Sequence, residues 1–337
     1  MKLRQRTGLL VGAALLLAAA SRAAAQETTA ITGVTIIDGA TPEPRRDRTV
    51  VVKGSRIVAE GPRASTPVPK GARIIAGRGK FLIPGLWDMH VHTVLPGGRQ
   101  VLRLYPENGV TGVRDMAGEW DTLVTFRREI AAGTLIGPRI VTSGPYLEGG
   151  DVPIPHLTVK RPEEAGPAID SLRKLGVDFI KVHGQLTRET YFAIASEARR
   201  RKLPFAGHVP RSVTTAEASD SGQASIEHLL TVPNRCAPGE AETLKPVFAI
   251  QRVFGPCASE DLALLFAKLV RNGTWMVPTL TAQVEMSRWP IREVPGDSFA
   301  RFLPDTLRQY VTQIFPMPDD VPPGADSVGR KLFAKRL

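Results

Sequence analysis

Beyond Pro84-Gly85 the sequence alternates short apolar runs with longer stretches of helical period, and this alternation constrains the fold more than any other feature. The apolar runs fall near Leu86 to His90, Val110 to Asp115, Arg139 to Ser143, Phe179 to Val182, Phe205 to His208, Ser225 to His228 and Trp275 to Thr279. Between them, Trp120, Leu123, Val124 and Ile130 recur near the helical period on one face, and Tyr191, Ile194, Ala195 and Ala198 on another. Strands alternating with amphipathic helices predict an α/β fold with a parallel sheet. The arrangement expected is a (β/α)₈ TIM barrel that lacks its last strand here, with its site at the C-terminal ends of the strands. A doubly wound sheet is the competing arrangement. It would usually carry a Gly-rich phosphate loop after its first strand, and neither G-x-G-x-x-G nor G-x-x-x-x-G-K-[ST] occurs.

Ahead of the barrel, residues Ile31 to Ile83 read as short strands punctuated by Gly39, Gly54-Ser55, Gly61-Pro62 and Gly77 to Gly79. They predict a small N-terminal β layer, one part of a β-sandwich. Before it, a basic head, an apolar run from Leu9 to Ala20 and Ala23-x-Ala25 form a signal-peptide pattern, with Gln26 as the first mature residue. The expected organisation is therefore a leader over 1–25, part of a composite β domain over 26–83 and a barrel over 84–337. The apolar run is shorter than the roughly 20 residues a membrane helix needs, and none longer follows. A periplasmic or secreted protein with no membrane span in its mature chain is expected. A formal charge of +11 comes partly from clusters such as Arg199-Arg200-Arg201-Lys202, with no recognition motif or aromatic interleaving, so nucleic acid is not an expected partner. Cys236 and Cys257 are close in an exported chain and are expected to form a disulfide.

The densest chemistry is Asp88-Met89-His90-Val91-His92, at the end of the first barrel strand. Residues two apart in a strand point to the same face, so both imidazoles reach one point at the barrel mouth. Lys181, His208 and His228 fall at later strand ends on the same rim. Jointly they form an imidazole-rich cluster suited to zinc or a similar divalent ion. His183, two beyond Lys181, and His156, in the Pro-rich loop after the third strand, are candidate substrate contacts, or else surface loop histidines.

The run Gly79 to His92, with Gly207-His208 and Ser225-Ile226-Glu227-His228, resembles the motifs of the amidohydrolase superfamily. Asp178-Phe179-Ile180-Lys181-Val182 and Ile226-Glu227-His228-Leu229 are similar to its imidazolonepropionase-like and Xaa-Pro dipeptidase-like branch, and the resemblance covers Ile31 to about Thr281. It implies two divalent metal ions, zinc in the first instance, the more buried on His90 and His92 and the more exposed on His208 and His228. Lys181 would bridge them as a carbamate, because an ammonium cannot ligate a cation. It further implies a metal-bound hydroxide that attacks an amide, with Lys181, His208 and His228 in catalytic positions. Small molecules with non-peptide C–N bonds, cyclic amides or dipeptides are the substrates implied, and a homo-oligomer is compatible with it. The competing activities are a mononuclear deaminase-like or imidazolone-ring hydrolase, and a non-catalytic metal-binding or cell-surface binding protein. The family's strand-eight aspartate has no counterpart among Asp261, Asp297, Asp305, Asp319, Asp320 and Asp326, which leads to the expectation of a C-terminally truncated chain. Specificity is expected in the βα loops Tyr146 to Leu157 and Leu229 to Pro256.

Overall fold

The computed structural model describes residues 27–152, 155–228, 259–281, 303–307 and 309. The leader, Cys236 and Cys257, the whole of the second specificity loop, 229–256, and most of the Pro-rich end lie outside them. The chain divides into two compact units, Met1–Pro84 and Gly85–Leu337. No helix among the described residues is long and apolar enough to cross a membrane.

In the first unit, strands β1 (Thr28–Ile36), β2 (Arg45–Lys53), β3 (Arg56–Pro62), β4 (Arg73–Ala76) and β5 (Phe81–Leu82) form one sheet in the order β3-β2-β1-β4, with β5 also on β1. The β1–β2 and β2–β3 pairs are antiparallel, while β4 and β5 run parallel to β1. Val34 and Ile36, two apart and so on one face, pack with Val50 into a small core joined by Ile31, Val52 and Leu82. The described part of this unit is a single sheet, and the second layer of the expected sandwich is not among the described residues.

The second unit is built on parallel strands. β6 (Leu86–Val91), β7 (Val110–Asp115) and β8 (Arg139–Thr142) pair in that order. β9 (Tyr146–Glu148), β10 (His156–Thr158), β11 (Ile180–Val182), β12 (Phe205–Gly207), β13 (Ser225–Glu227) and β14 (Trp275–Val277) form a second sheet, ordered β10-β9-β11-β12-β13-β14, every pair of it parallel. The strands expected from the apolar runs are all present. β9 and β10 are additions that the sequence pattern did not signal, because three residues each, with Glu148 and His156 among them, carry no readable period. The described ladders form two sheets rather than one closed ring.

Helices α1 (Gly98–Val101), α2 (Leu104–Glu107), α3 (Trp120–Ala131), α4 (Ala165–Leu175), α5 (Arg188–Arg200), α6 (Thr215–Asp220) and α7 (Ser259–Asn272) connect the strands. The starts of α3, α5 and α6 are set by side chains that satisfy otherwise orphaned N–H groups. Glu119 accepts from Asp121 N and Thr122 N at the head of α3, and Thr187 accepts from Thr190 N at the head of α5. Thr214 and Glu217 cap α6 reciprocally. The expected apolar face of α5 is buried in full: Tyr191, Ile194, Ala195 and Ala198 join β9, β11, β12 and β13 in the larger core. The α3 expectation needs a correction. Val124 is exposed, and the stripe that faces β6, β7 and β8 is Leu123, Phe126 and Ile130, spaced three and four apart as a helix requires.

Candidate active site

The C-terminal ends of β6, β11, β12 and β13 each deliver one or two polar side chains. β6 ends at Val91, so His90 lies in its last turn of pleat and His92 immediately follows it. Lys181 is the middle residue of β11, and His208 and His228 come directly after β12 and β13. Two backbone features hold the last two in place. Gly207 has φ of 131°, and a Cβ there would lie 2.1 Å from Val182 O, so only glycine lets β12 approach β11 this closely. His208 N then donates to Val182 O at 3.0 Å. His228 itself has φ of 63°, unusual for a residue with a side chain, and is held there by donating its N–H to Val277 O at 2.8 Å.

All six histidines of the chain meet in one continuous run of rings. His92 lies 5.5 Å from His90 between ring centroids, His90 4.6 Å from His228, His228 4.9 Å from His208, and His208 4.2 Å from His183. The Tyr146 ring continues the run, 4.8 Å from His183 and 5.9 Å from His156. Lys181 is 2% exposed and its Nζ lies 5.8 Å from the Tyr146 centroid. The structure therefore brings together every residue singled out by sequence, including His183 and His156, neither of which is an isolated surface histidine.

Each anchored ring is turned the same way. His90 Nδ1 donates to Glu227 Oε2 at 2.7 Å and His92 Nδ1 donates to the carbonyl of Ala117 at 3.1 Å. Thr279 Oγ1 donates to Pro278 O at 2.8 Å, which leaves it to accept from His228 Nδ1 at 2.7 Å. His183 Nδ1 donates to Glu148. A carbonyl or an ionised carboxylate can only accept, so Nδ1 carries the proton and Nε2 keeps its lone pair, the tautomer a metal ligand needs. Burial lowers the pKa of His90, takes His92 to about 4 and His228 to about 3, and holds His208 well below the usual value; the neighbouring Lys181 adds to the effect in each. Burial likewise brings Lys181 down to about 8, against the pull of Glu227 and Asp115.

Glu227, Arg114 and Glu148 were not singled out by sequence. Burial works against ionising Glu227, but the bond to His90 and the charge of Arg114 outweigh it and lower its pKa. Arg114, from β7, donates to Glu227 Oε1 at 2.5 Å, to Ser225 Oγ at 2.7 Å and to Met89 O at 2.8 Å, tying three strands beneath His90. Glu148 makes the corresponding anchor under His183, accepting from Gln185 N at 3.0 Å and Gly149 N at 2.7 Å, and its pKa is lowered, burial notwithstanding, by His183.

In chemistry this donor set suits a divalent ion: neutral imidazoles with free Nε2 atoms, ring orientations fixed by outer hydrogen bonds, and a buried lysine. In geometry no three His, Cys, Asp or Glu side chains among the described residues converge on one ion position. The rings are gathered but not drawn in around a point.

No protein-family model matches the chain. It is similar to Adenine deaminase 3 of Rhizobium meliloti (strain 1021), 26% identical over 122 residues, 31% of this chain; the match spans only a fifth of that protein's length, 20%. Among solved structures it superposes on a Bifidobacterium longum protein described as a prolidase (23% identity, TM-score 0.61, 91% of this chain and 68% of that one). A Xaa-Pro dipeptidase with methionine in its active site gives 21% identity and TM-score 0.60 over 92% of this chain and 75% of that one. Bottromycin amidohydrolase gives 22% and 0.60 over 91% and 64%. At these identities the likeness establishes the fold.

Proposed function

Because this chain has the fold of amidohydrolases and Xaa-Pro dipeptidases, we propose that it is a metal-dependent hydrolase of C–N bonds, with dipeptides or other small amides as substrates. The observation that carries the reading is the gathering of His90, His92, His208, His228 and buried Lys181 at the C-terminal ends of parallel strands, where an α/β barrel keeps its chemistry. Closure of the two parallel sheets into a (β/α)₈ barrel belongs to the same proposal, as does export by the amino-terminal leader.

In this reading His90, His92, His208 and His228 would hold divalent metal, two zinc ions in the fullest form, with Lys181 as a carbamate between them. When bound, such an ion supplies Lewis acidity toward water and toward a substrate carbonyl. The chain's own residues do the rest. Glu227, Ala117 O and Thr279 fix the imidazole tautomers of His90, His92 and His228, so that their neutral Nε2 atoms keep free lone pairs. Burial leaves a substantial unprotonated fraction of Lys181 above pH 7, the form that adds carbon dioxide.

A mononuclear deaminase-like activity is the second reading, favoured by the likeness to an adenine deaminase. It needs no modified lysine. Metal analysis of the full chain separates the two: the main reading expects about two ions per chain in the wild type, reduced in Lys181→Ala. Full metal content and activity in Lys181→Ala would leave the mononuclear reading standing, and a wild type that binds no metal would defeat both.

A further inference from the structure

The ligand set leaves one wall of the site unused. β9 places Tyr146 and Glu148 two apart, on one face of the strand. The Tyr146 ring lies against the rings of His156 and His183, with Lys181 Nζ 5.8 Å from its centroid, and His183 in turn lies against His208. One imidazole thus separates this tyrosine from the proposed histidine ligands, and Lys181 lies directly against it. Tyr146 is 2% exposed, yet its hydroxyl has no hydrogen-bond partner among the described residues. The other buried side-chain atoms in that condition, Arg45 Nε and Thr49 Oγ1, belong to the first unit. A buried tyrosine hydroxyl normally finds a partner, and one left without lowers stability relative to a phenylalanine of the same shape. Keeping the hydroxyl calls for a partner that arrives with a ligand.

We infer that Tyr146 is a specificity-determining residue whose hydroxyl donates a hydrogen bond to an amide carbonyl oxygen of the bound substrate. The inference rests on the hydrolase reading above. The sign of the surroundings selects the acceptor. Glu148 is fully buried beside Tyr146 and held ionised by His183 and by the N–H groups of Gln185 and Gly149. Lys181, a carbamate in the hydrolase reading, would bring no positive charge to offset it, so a carboxylate or phosphate brought to the hydroxyl would meet a negative charge. A neutral carbonyl oxygen would not. Burial and the Glu148 charge also raise the phenol's pKa to about 12, so the group stays a donor throughout the working range of the protein. Glu148 keeps the His183 ring packed against Tyr146, which fixes the direction of the wall.

The test compares wild type and Tyr146→Phe, as full chains loaded with zinc, by thermal melting and by steady-state hydrolysis of a panel of simple dipeptides and N-acetyl amino acids. The inference expects the Phe protein to melt at or above the wild type while kcat/KM on every amide turned over falls about tenfold or more. A Phe protein that melts several degrees lower would show that the hydroxyl has a structural partner and would overturn the inference. Unchanged kcat/KM would overturn it as well. If the wild type hydrolyses nothing in the panel, the hydrolase reading fails on its own, and calorimetric titration with the same amides decides the tyrosine: weaker binding to Tyr146→Phe upholds the donor role, and equal or absent binding overturns it.

Discussion

Glu227 is adjacent to His228 in sequence but serves His90, 137 residues away. Its partner Arg114 is buried with it, and the two charges neutralise one another across β7 and β13. Removing one charge leaves the other stranded. Arg114→Met is therefore expected to lower stability by about 3–5 kcal/mol, read from urea unfolding. Glu227→Gln keeps the shape but loosens the hold on the His90 ring, and zinc affinity measured by competition with a chelator should fall about 10–100-fold. An unchanged affinity would remove Glu227 from the site. Asp115 makes a prediction about pH. Burial raises its carboxyl to about 6, although Thr93 donates to it twice at 2.6 Å. A carboxyl whose folded pKa lies above the unfolded value of about 3.9 binds its proton more tightly in the folded state, so stability falls as pH rises between those two values. In metal-free protein the buried histidines, whose folded pKa values are lowered, make stability rise over the same range. The Asp115 contribution of roughly 1–3 kcal/mol is therefore read as a difference: Asp115→Asn should gain stability more steeply than the wild type from about pH 4 to about pH 6. These partners were hidden in the sequence for a physical reason. His90-x-His92 shows because period two is local, whereas the Glu227–His90 and Glu148–His183 contacts join residues far apart that only the packing of strands brings together.

At the scale of elements, the placement of His208 depends on how closely β12 approaches β11. Gly207→Ala would drive a methyl into Val182 O and impose φ of 131° on a residue with a side chain. We expect a loss of about 3–5 kcal/mol in thermal or urea unfolding, together with weakened metal binding. Gly176, which ends α4 with φ of 86° and has nothing within 4 Å of a Cβ, is the internal comparison. Gly176→Ala should cost only about 1 kcal/mol and leave metal binding alone. Equal losses at both positions would contradict the close-approach account. The elements were the most legible part of this chain: β7 runs over the expected residues, and α5 buries the expected face. Val124 misled because it stands beside Leu123 on α3, where one position turns a side chain by about 100° and out of the core. The short strands β9 and β10 were illegible: the sequence offered Tyr146 to Leu157 as a specificity loop without singling out Tyr146 or Glu148 within it.

For the whole molecule, the parallel strands are what convert scattered histidines into one site. Consecutive parallel strands present the same end on the same side, so residues after β6, β12 and β13 become neighbours although well over a hundred positions separate the first from the last. Sequence alone could propose that convergence only by assuming the sheet; the ring contacts from His92 through to His156 display it. The central claim is that the gathered imidazoles and Lys181 hold metal for the hydrolysis of C–N bonds. It is tested most directly by stripping the protein with a chelator, titrating zinc back, and following release of free amine from a panel of dipeptides and N-acyl amino acids, for wild type beside His90→Ala/His92→Ala. The stripped wild type should be inactive, activity should return in step with bound zinc, and the double variant should recover neither. Amide hydrolysis that survives complete metal removal, or a double variant that binds zinc and turns over substrate like the wild type, would contradict it.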